Sequence, residues 1–168
     1  MERSPLSEPC LVPWSEGDFA LLVACNSAGM TAHLGGPETR EQLVSRHRRY
    51  LALERGQMFR IALDGDAVGS IGYWETSWQG ESVWETGWGV LPGFQGRGIA
   101  ATAARLVVEE ARATGRHARL HAFPAVDHAA SNGVCRKAGF TMRGEHDFEY
   151  PKGHWMRCND WSVDLSGC

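Results

Sequence analysis

The sequence predicts a single α/β domain built on a mixed, mainly antiparallel sheet of six or seven strands, with helices on both faces. Three observations predict it. Short strand-like runs are interspersed with helical patterns along the whole chain. The segment Gly89-Val90-Leu91-Pro92 leads through Gln95-Gly96-Arg97-Gly98 into a helical pattern, a strand, glycine-rich turn and helix in succession. A length of 168 residues suits one domain with a sizeable core.

The elements follow in order. Residues 1–9 read as a tail and residues 10–168 as the domain. Cys10 to Trp14 is a short strand, and Ser15 is an N-cap for a helix over about 16 to 27. Asn26 to Gly36 is a loop. Pro37 stands where helices favour proline, so a second helix is expected from there to Arg55, ended by Gly56. Met58 to Asp64 and Ala67 to Trp74 are strands joined through Asp64-Gly65-Asp66, a hairpin signal. Ser77 to Glu81 forms the next turn and Ser82 to Leu91 the next strand. The helix after the glycine-rich turn runs to about Thr114, with Arg105, Glu109, Arg112 and Arg116 on one solvated face and Leu106 and Val107 on the other. His117 to Phe123 is a strand, about 127 to 138 a helix, and Phe140 to Asp147 and His154 to Leu165 are closing strands.

The glycine-rich turn carries chemistry. A helix N-terminus presents unpaired N–H groups and partial positive charge, which together suit a phosphate or pyrophosphate. Gly96 and Gly98 let the backbone come close to such an anion, and Arg97 can add a direct charge. Residues 96–101 also fit a loose G-x-G-x-x-A dinucleotide pattern. The acidic residue expected about 20 positions later is missing, where the chain reads Ala113-Thr114-Gly115-Arg116-His117. No G-x-x-x-x-G-K-[ST] occurs, which removes the P-loop reading.

Gln95 through Ala100 resembles the Q/R-x-x-G-x-G/A loop with which the GNAT superfamily of N-acetyltransferases binds the acetyl-CoA pyrophosphate. Ser131-Asn132-Gly133-Val134-Cys135-Arg136-Lys137-Ala138-Gly139-Phe140 resembles that family's second signature, a helix ending in K-x-G-F. Trp84-Glu85-Thr86-Gly87-Trp88 looks like the E-x-G-Y/W strand of the branch that includes ribosomal-protein alanine acetyltransferases. The resemblance spans about Leu11 to Leu165. It implies that two central strands part to admit the pantetheine arm. It implies acetyl-CoA as cosubstrate and a primary amine as acceptor, whether a protein N-terminus, a small amine metabolite or an antibiotic. Gln95, Gly96, Arg97, Gly98, Ile99 and Ala100 would then hold the pyrophosphate, and N–H groups near Val90 and Leu91 would stabilise the thioester oxyanion.

An acceptor ammonium must lose a proton before it attacks a thioester. Glu85 is the first candidate to take it, a charge in mid-strand sharing a face with Gly87 and Gly89, which leave room for a ligand. His33, in the loop between the first two helices, is the second candidate and could also touch the acceptor. Cys135 stands where many family members carry a tyrosine thought to protonate the leaving thiolate. Burial as a small apolar residue ranks first for it, a general acid second and a covalent acetyl carrier third. His128 replaces the family's asparagine three residues before Ser131. Both His128 and Ser131 are candidates for contact with the cofactor's arm, and Asp127 or His128 could instead cap the helix. Trp74 and Trp78, in or beside one hairpin, are candidates for the acceptor pocket. A non-catalytic acyl-CoA-binding regulatory module is the alternative that the substitutions at 128 and 135 leave open.

Composition narrows the rest. A net charge of −3 gives no reason to expect nucleic-acid binding. No run approaches the ~18 apolar residues of a membrane span, and no signal peptide is seen, so no membrane partner is expected. Five cysteines without C-x-x-C suit free thiols in a reducing cytoplasm. His47, sharing a stripe with Leu43, Tyr50 and Leu51, reads as packing. His117 and His121 share a strand face but lack a third ligand, so no metal is expected. A monomer or a homodimer fits equally.

Overall fold

The computed structural model describes residues 7–149 and 152–166. Residues 1–6 of the expected tail and Cys168 lie outside that range. Cys10, Cys25, Cys135 and Cys158 are free thiols.

Among the described residues, seven strands and four α-helices follow in the order β1 (Cys10–Pro13), α1 (Phe19–Ala24), α2 (Arg40–Leu51), β2 (Gly56–Leu63), β3 (Asp66–Trp78), β4 (Glu81–Val90), α3 (Ile99–Thr114), β5 (Arg119–Ala122), α4 (Ala129–Lys137), β6 (Thr141–Glu149) and β7 (Trp155–Asp164). The strands form one sheet in the order β1-β2-β3-β4-β5-β7-β6. Every pairing is antiparallel except that of β4 with β5, whose α3 crossover makes them parallel.

Helices cover both faces. The longer core lies under α3 and α4, where Ala103, Ala104, Val107, Val108 and Ala111 meet Ile61, Val68, Ile71, Trp84 and Leu120. The opposite face packs Leu21 and Leu22 of α1 and Leu43 of α2 on Trp14 and Met58, with Trp74 and Leu91 at the rim. His47 accepts a hydrogen bond from the Trp14 indole at 3.0 Å, which fits its expected packing role.

Several boundaries differ from expectation for physical reasons. The second helix starts at Arg40, not at Pro37. Thr39 and Gln42 form a capping box, with the Gln42 amide N–H donating to Thr39 Oγ1 at 3.2 Å and the Thr39 amide N–H donating to Gln42 Oε1 at 2.8 Å. It ends at Leu51, because Gly56 opens β2 instead of capping the helix. The first helix begins as a 3-10 turn over Glu16–Asp18. Its Asp18 carboxylate accepts from Ser15 N–H and receives Arg60 at 2.9 Å, which ties the segment to β2. The β3–β4 hairpin is longer than expected and turns at Gln79-Gly80. Leu106 is exposed, while Val107 is buried as expected. His117 and His121 lie on opposite faces, since β5 starts only at Arg119. His117 pairs with Glu75 at 2.7 Å and packs on Trp84, while His121 faces the other way. Among the described residues, no helix is long and apolar enough to cross a membrane.

Candidate active site

The sheet is deepest at its parallel pair. The β4–β5 ladder has the rungs Trp84↔Leu120, Glu85↔His121 and Thr86↔Ala122. Beyond Thr86, β4 runs on to Val90 while β5 ends at Ala122, so the two strands part. The backbone groups of β4 alternate between its neighbours. Leu91 N–H donates to Val68 O at 2.9 Å, which commits it to β3. This corrects the expectation for Leu91 as an oxyanion donor. Val90 faces the other way, into the fork, where its carbonyl accepts from Gln95 Nε2 at 2.8 Å. Its N–H, on the same side, is the donor that this register offers to a thioester.

The turn after β4 meets the demands of an anion. Gly96 and Gly98 both have φ of +77°, a left-handed backbone that side chains resist, and no atom lies within 4 Å of where either Cβ would be. Gly98 is the N-cap of α3, so Ile99, Ala100 and Ala101 have no helical carbonyl to receive their N–H groups. The Arg97 guanidinium lies over the Phe94 ring, 5.4 Å from its centroid.

Glu85 lies one rung below the fork, partly buried, on the face of α1 and α2. Burial pushes its carboxyl up to about 7, while a hydrogen bond from Trp74 and the nearby His121 pull the other way. The room that Gly87 and Gly89 leave is partly taken. The Trp74 ring edge lies 3.1 Å from where the Gly87 Cβ would be, and the Met30 methyl 3.3 Å from that of Gly89. Both side chains therefore roof the strand beside Glu85.

The structure gathers some candidates and separates others. His33, from the loop before α2, stacks on His128 with centroids 4.1 Å apart and rings within 4° of parallel, and its Nε2 is 3.7 Å from Asp127 Oδ1. Burial and the neighbouring His33 push the His128 imidazole down. Ser131 Oγ is 3.5 Å from His128 Nε2. His128, not Asp127, is the N-cap of α4, and its side chain makes no cap bond. Trp78 stacks on Phe148 and donates its indole N–H to Asp160 Oδ2 at 3.2 Å.

Cys135 lies apart from this group, fully buried in the core under α3. Burial pushes its thiol up to about 12. A donor that weak would give its proton uphill to a thiolate of ordinary pKa near ~8.5. Cys135→Ala is therefore expected to cost about 1 kcal/mol of stability and leave turnover unchanged. Cys135→Tyr should cost more, about 1–3 kcal/mol, by overpacking. Urea melts and steady-state kinetics check both. A large loss of rate in Ala, restored by Tyr, would instead make residue 135 the acid.

The sequence reading gave no role beside Glu85 to His121, Asp160 or Cys158, which the structure brings near it. His121 Nδ1 lies 2.6 Å from Asp160 Oδ1, and both residues are buried. Burial and the charge of Glu85 push the Cys158 thiol up to about 11. Asp160 carries the same signal as Glu85, an acidic residue in mid-strand. A cavity of about 570 Å³ lies on the opposite face against α4, lined by Asn132, Arg136, Met142, Glu145 and Trp161.

Residues 10–141 match the acetyltransferase (GNAT) domain family. The chain belongs to the GNAT acetyltransferase family. It is thus an N-acetyltransferase using acetyl-CoA, and the non-catalytic module gives way to an enzyme. Solved structures share the fold of this acetyltransferase. One is the Salmonella typhimurium acetyltransferase that modifies the N-terminal serine of 50S ribosomal subunit protein L7/L12, 20% identical over 94% of this chain and 95% of that one, with a TM-score of 0.77. Another is the aminoglycoside acetyltransferase AAC(6')-Ib in complex with coenzyme A, 18% identical over 94% and 95%, with a TM-score of 0.76. A GNAT-family acetyltransferase from Bacillus anthracis is 18% identical over 95% and 96%, with a TM-score of 0.79. No curated protein matches the chain in sequence.

Proposed function

We propose that this acetyltransferase acts on a primary amine, which attacks the thioester of acetyl-CoA directly. One observation carries the reading: Glu85 lies one rung below the fork of β4 and β5, with its carboxyl pushed up to about 7. An alkyl ammonium of pKa ~10 must be deprotonated before it attacks. A carboxyl poised near neutrality takes that proton more effectively than an ordinary carboxylate. In this reading Val90 N–H faces the developing oxyanion, and residues 96–100 hold the pyrophosphate.

Direct attack is supported by the state of the thiols. Cys135 is pushed up to about 12 and Cys158 to about 11, so neither is a ready thiolate at neutral pH. The acceptor is an amine that is a cation in water, drawn by Glu85 and walled by Trp74 and Trp78. Its class follows what the structural relatives act on, a protein N-terminus or an aminoglycoside, or else is a small amine metabolite. In this reading His33, His128 and Ser131, gathered at the start of α4, contact the cofactor's arm and the acceptor.

The test is acetyl-CoA turnover with a serine-initiated peptide, an aminoglycoside, spermidine and tryptamine, followed by thiol release and product mass. At least one acceptor should gain one acetyl group per thiol released, with sequential kinetics. A stable acetyl group on the protein, or acetyl-CoA left intact with every amine, would count against the reading.

A further inference from the structure

We propose that His121 and Asp160 form a positioning pair that carries the proton from Glu85 into the cavity beside them. The inference rests on the amine-transfer reading, because direct attack releases one proton per turnover. The amine N–H bond breaks and a Glu85 O–H bond forms. Before the next cycle that O–H bond must break in turn, while cofactor and acceptor fill the fork above it.

The register supplies the next acceptor. His121 is the direct β5 partner of Glu85, and β5 lies between β4 and β7, so its ring stands between two carboxylates on one face of the sheet. Asp160, as a carboxylate, can only accept at its 2.6 Å contact with His121 Nδ1. That nitrogen therefore carries the hydrogen, and the neutral ring keeps its Nε2 lone pair. Asp160 is fixed in turn by the Trp78 indole, and Phe123 stacks on the His121 ring at 5.5 Å. Nε2 takes the proton from Glu85 and passes it to water. Asp160 holds the ring through its 2.6 Å contact and steadies the imidazolium.

The outlet is a cavity of about 290 Å³ lined by Trp78, Glu81, Arg119, His121, Arg143 and Asp160. Glu85 does not line it, so His121 is its bridge to that space. The charged and titratable groups around the pair are Glu85 and Glu81 of β4, Arg119 of β5, Arg143 and His146 of β6, and Cys158 of β7. Arg143 is engaged with Ser162 Oγ at 3.1 Å. Asp160 is thus the carboxylate in contact with the ring.

Two measurements test this on the full chain. The first needs no acceptor: the Glu85 carboxyl is titrated by ¹³C NMR, and the His121 tautomer is read from ¹⁵N shifts. The wild type should show His121 with hydrogen on Nδ1. His121→Gln should move the Glu85 midpoint to higher pH by about half a unit or more, because no imidazolium can then form beside the carboxylate when Glu85 gives up its proton. Asp160→Asn should shift the tautomer toward Nε2–H. The second is steady-state kinetics with the amine that the panel identifies. His121→Gln should lower kcat about 10- to 100-fold with the acetyl-CoA KM unchanged, and free-base imidazole should restore part of the rate. If His121→Gln fails to fold by its thermal melt, the isosteric Asp160→Asn carries both readouts. An unmoved Glu85 midpoint, or a moved midpoint with unchanged kcat, overturns the pair. A wild type inert with every amine sinks the amine-transfer reading instead, and the titration still decides whether the two groups are coupled.

Discussion

Gly98→Glu is expected to lower coenzyme A affinity by at least about 100-fold, by two separable effects. Gly98 has φ of +77°, where a side chain costs about 1–2 kcal/mol in the backbone. A Cβ there would meet no atom within 4 Å, so the fold is expected to survive, which a thermal melt checks. The carboxylate would then stand among the N–H groups proposed to receive the pyrophosphate, and like charges a few ångströms apart repel by several kcal/mol at an effective dielectric of about 20. Gly98→Ala separates the two, since it carries the strain without the charge and should lose only a small part of the affinity. Calorimetric titration with coenzyme A decides. Equal binding by the two variants would place the pyrophosphate elsewhere.

The second large effect is at Glu85. Glu85→Gln should lower kcat/KM about 100-fold near pH 7, and raising the pH should recover part of the loss as free amine becomes commoner. In the wild type kcat/KM should rise through about pH 7, where the Glu85 carboxyl releases its proton. Activity across pH 6 to 9 that is unchanged in Glu85→Gln would remove it from the mechanism and bring His33 forward.

The same carboxyl has a consequence for stability. Its pKa is raised from 4.5 to about 7 in the folded protein, so the folded state holds the proton more tightly than the unfolded chain. Its contribution is full below pH 4.5 and is lost as pH rises through about 7. Above that the wild type carries a buried carboxylate that costs on the order of 1–3 kcal/mol. Glu85→Gln should therefore be more stable than wild type at pH 8 and about equal to it at pH 4, by urea melts at both. A site that costs the fold stability and returns rate behaves as a functional site does.

Much of this was legible in the chain because the signals are local. The strand–turn–helix around Gln95 depends on a short run of residues whose backbone needs are met within the run. Glu85 was visible as a charge in mid-strand. Other errors came from competing local signals. Pro37 suggested a helix start, but the Thr39–Gln42 capping box satisfied the free N–H groups further along. His117 and His121 have the spacing of one strand face, but the strand begins between them.

By itself the sequence determined the class of fold, the glycine-rich turn before α3 and the family, since each rests on residues close together in the chain. Only the tertiary structure decided what stands around Glu85. Strand order places β5 between β4 and β7, so His121 and Asp160, 39 positions apart in the chain, meet at 2.6 Å. It also decided which N–H groups point into the fork. Leu91 is bound to Val68 and Val90 is not, because successive residues of a strand face opposite neighbours, and only the register says which neighbour is there. Cys135 went to the core for the same reason: the helix pattern brings it round on α4, but the packing of α3 and the sheet decides what it touches.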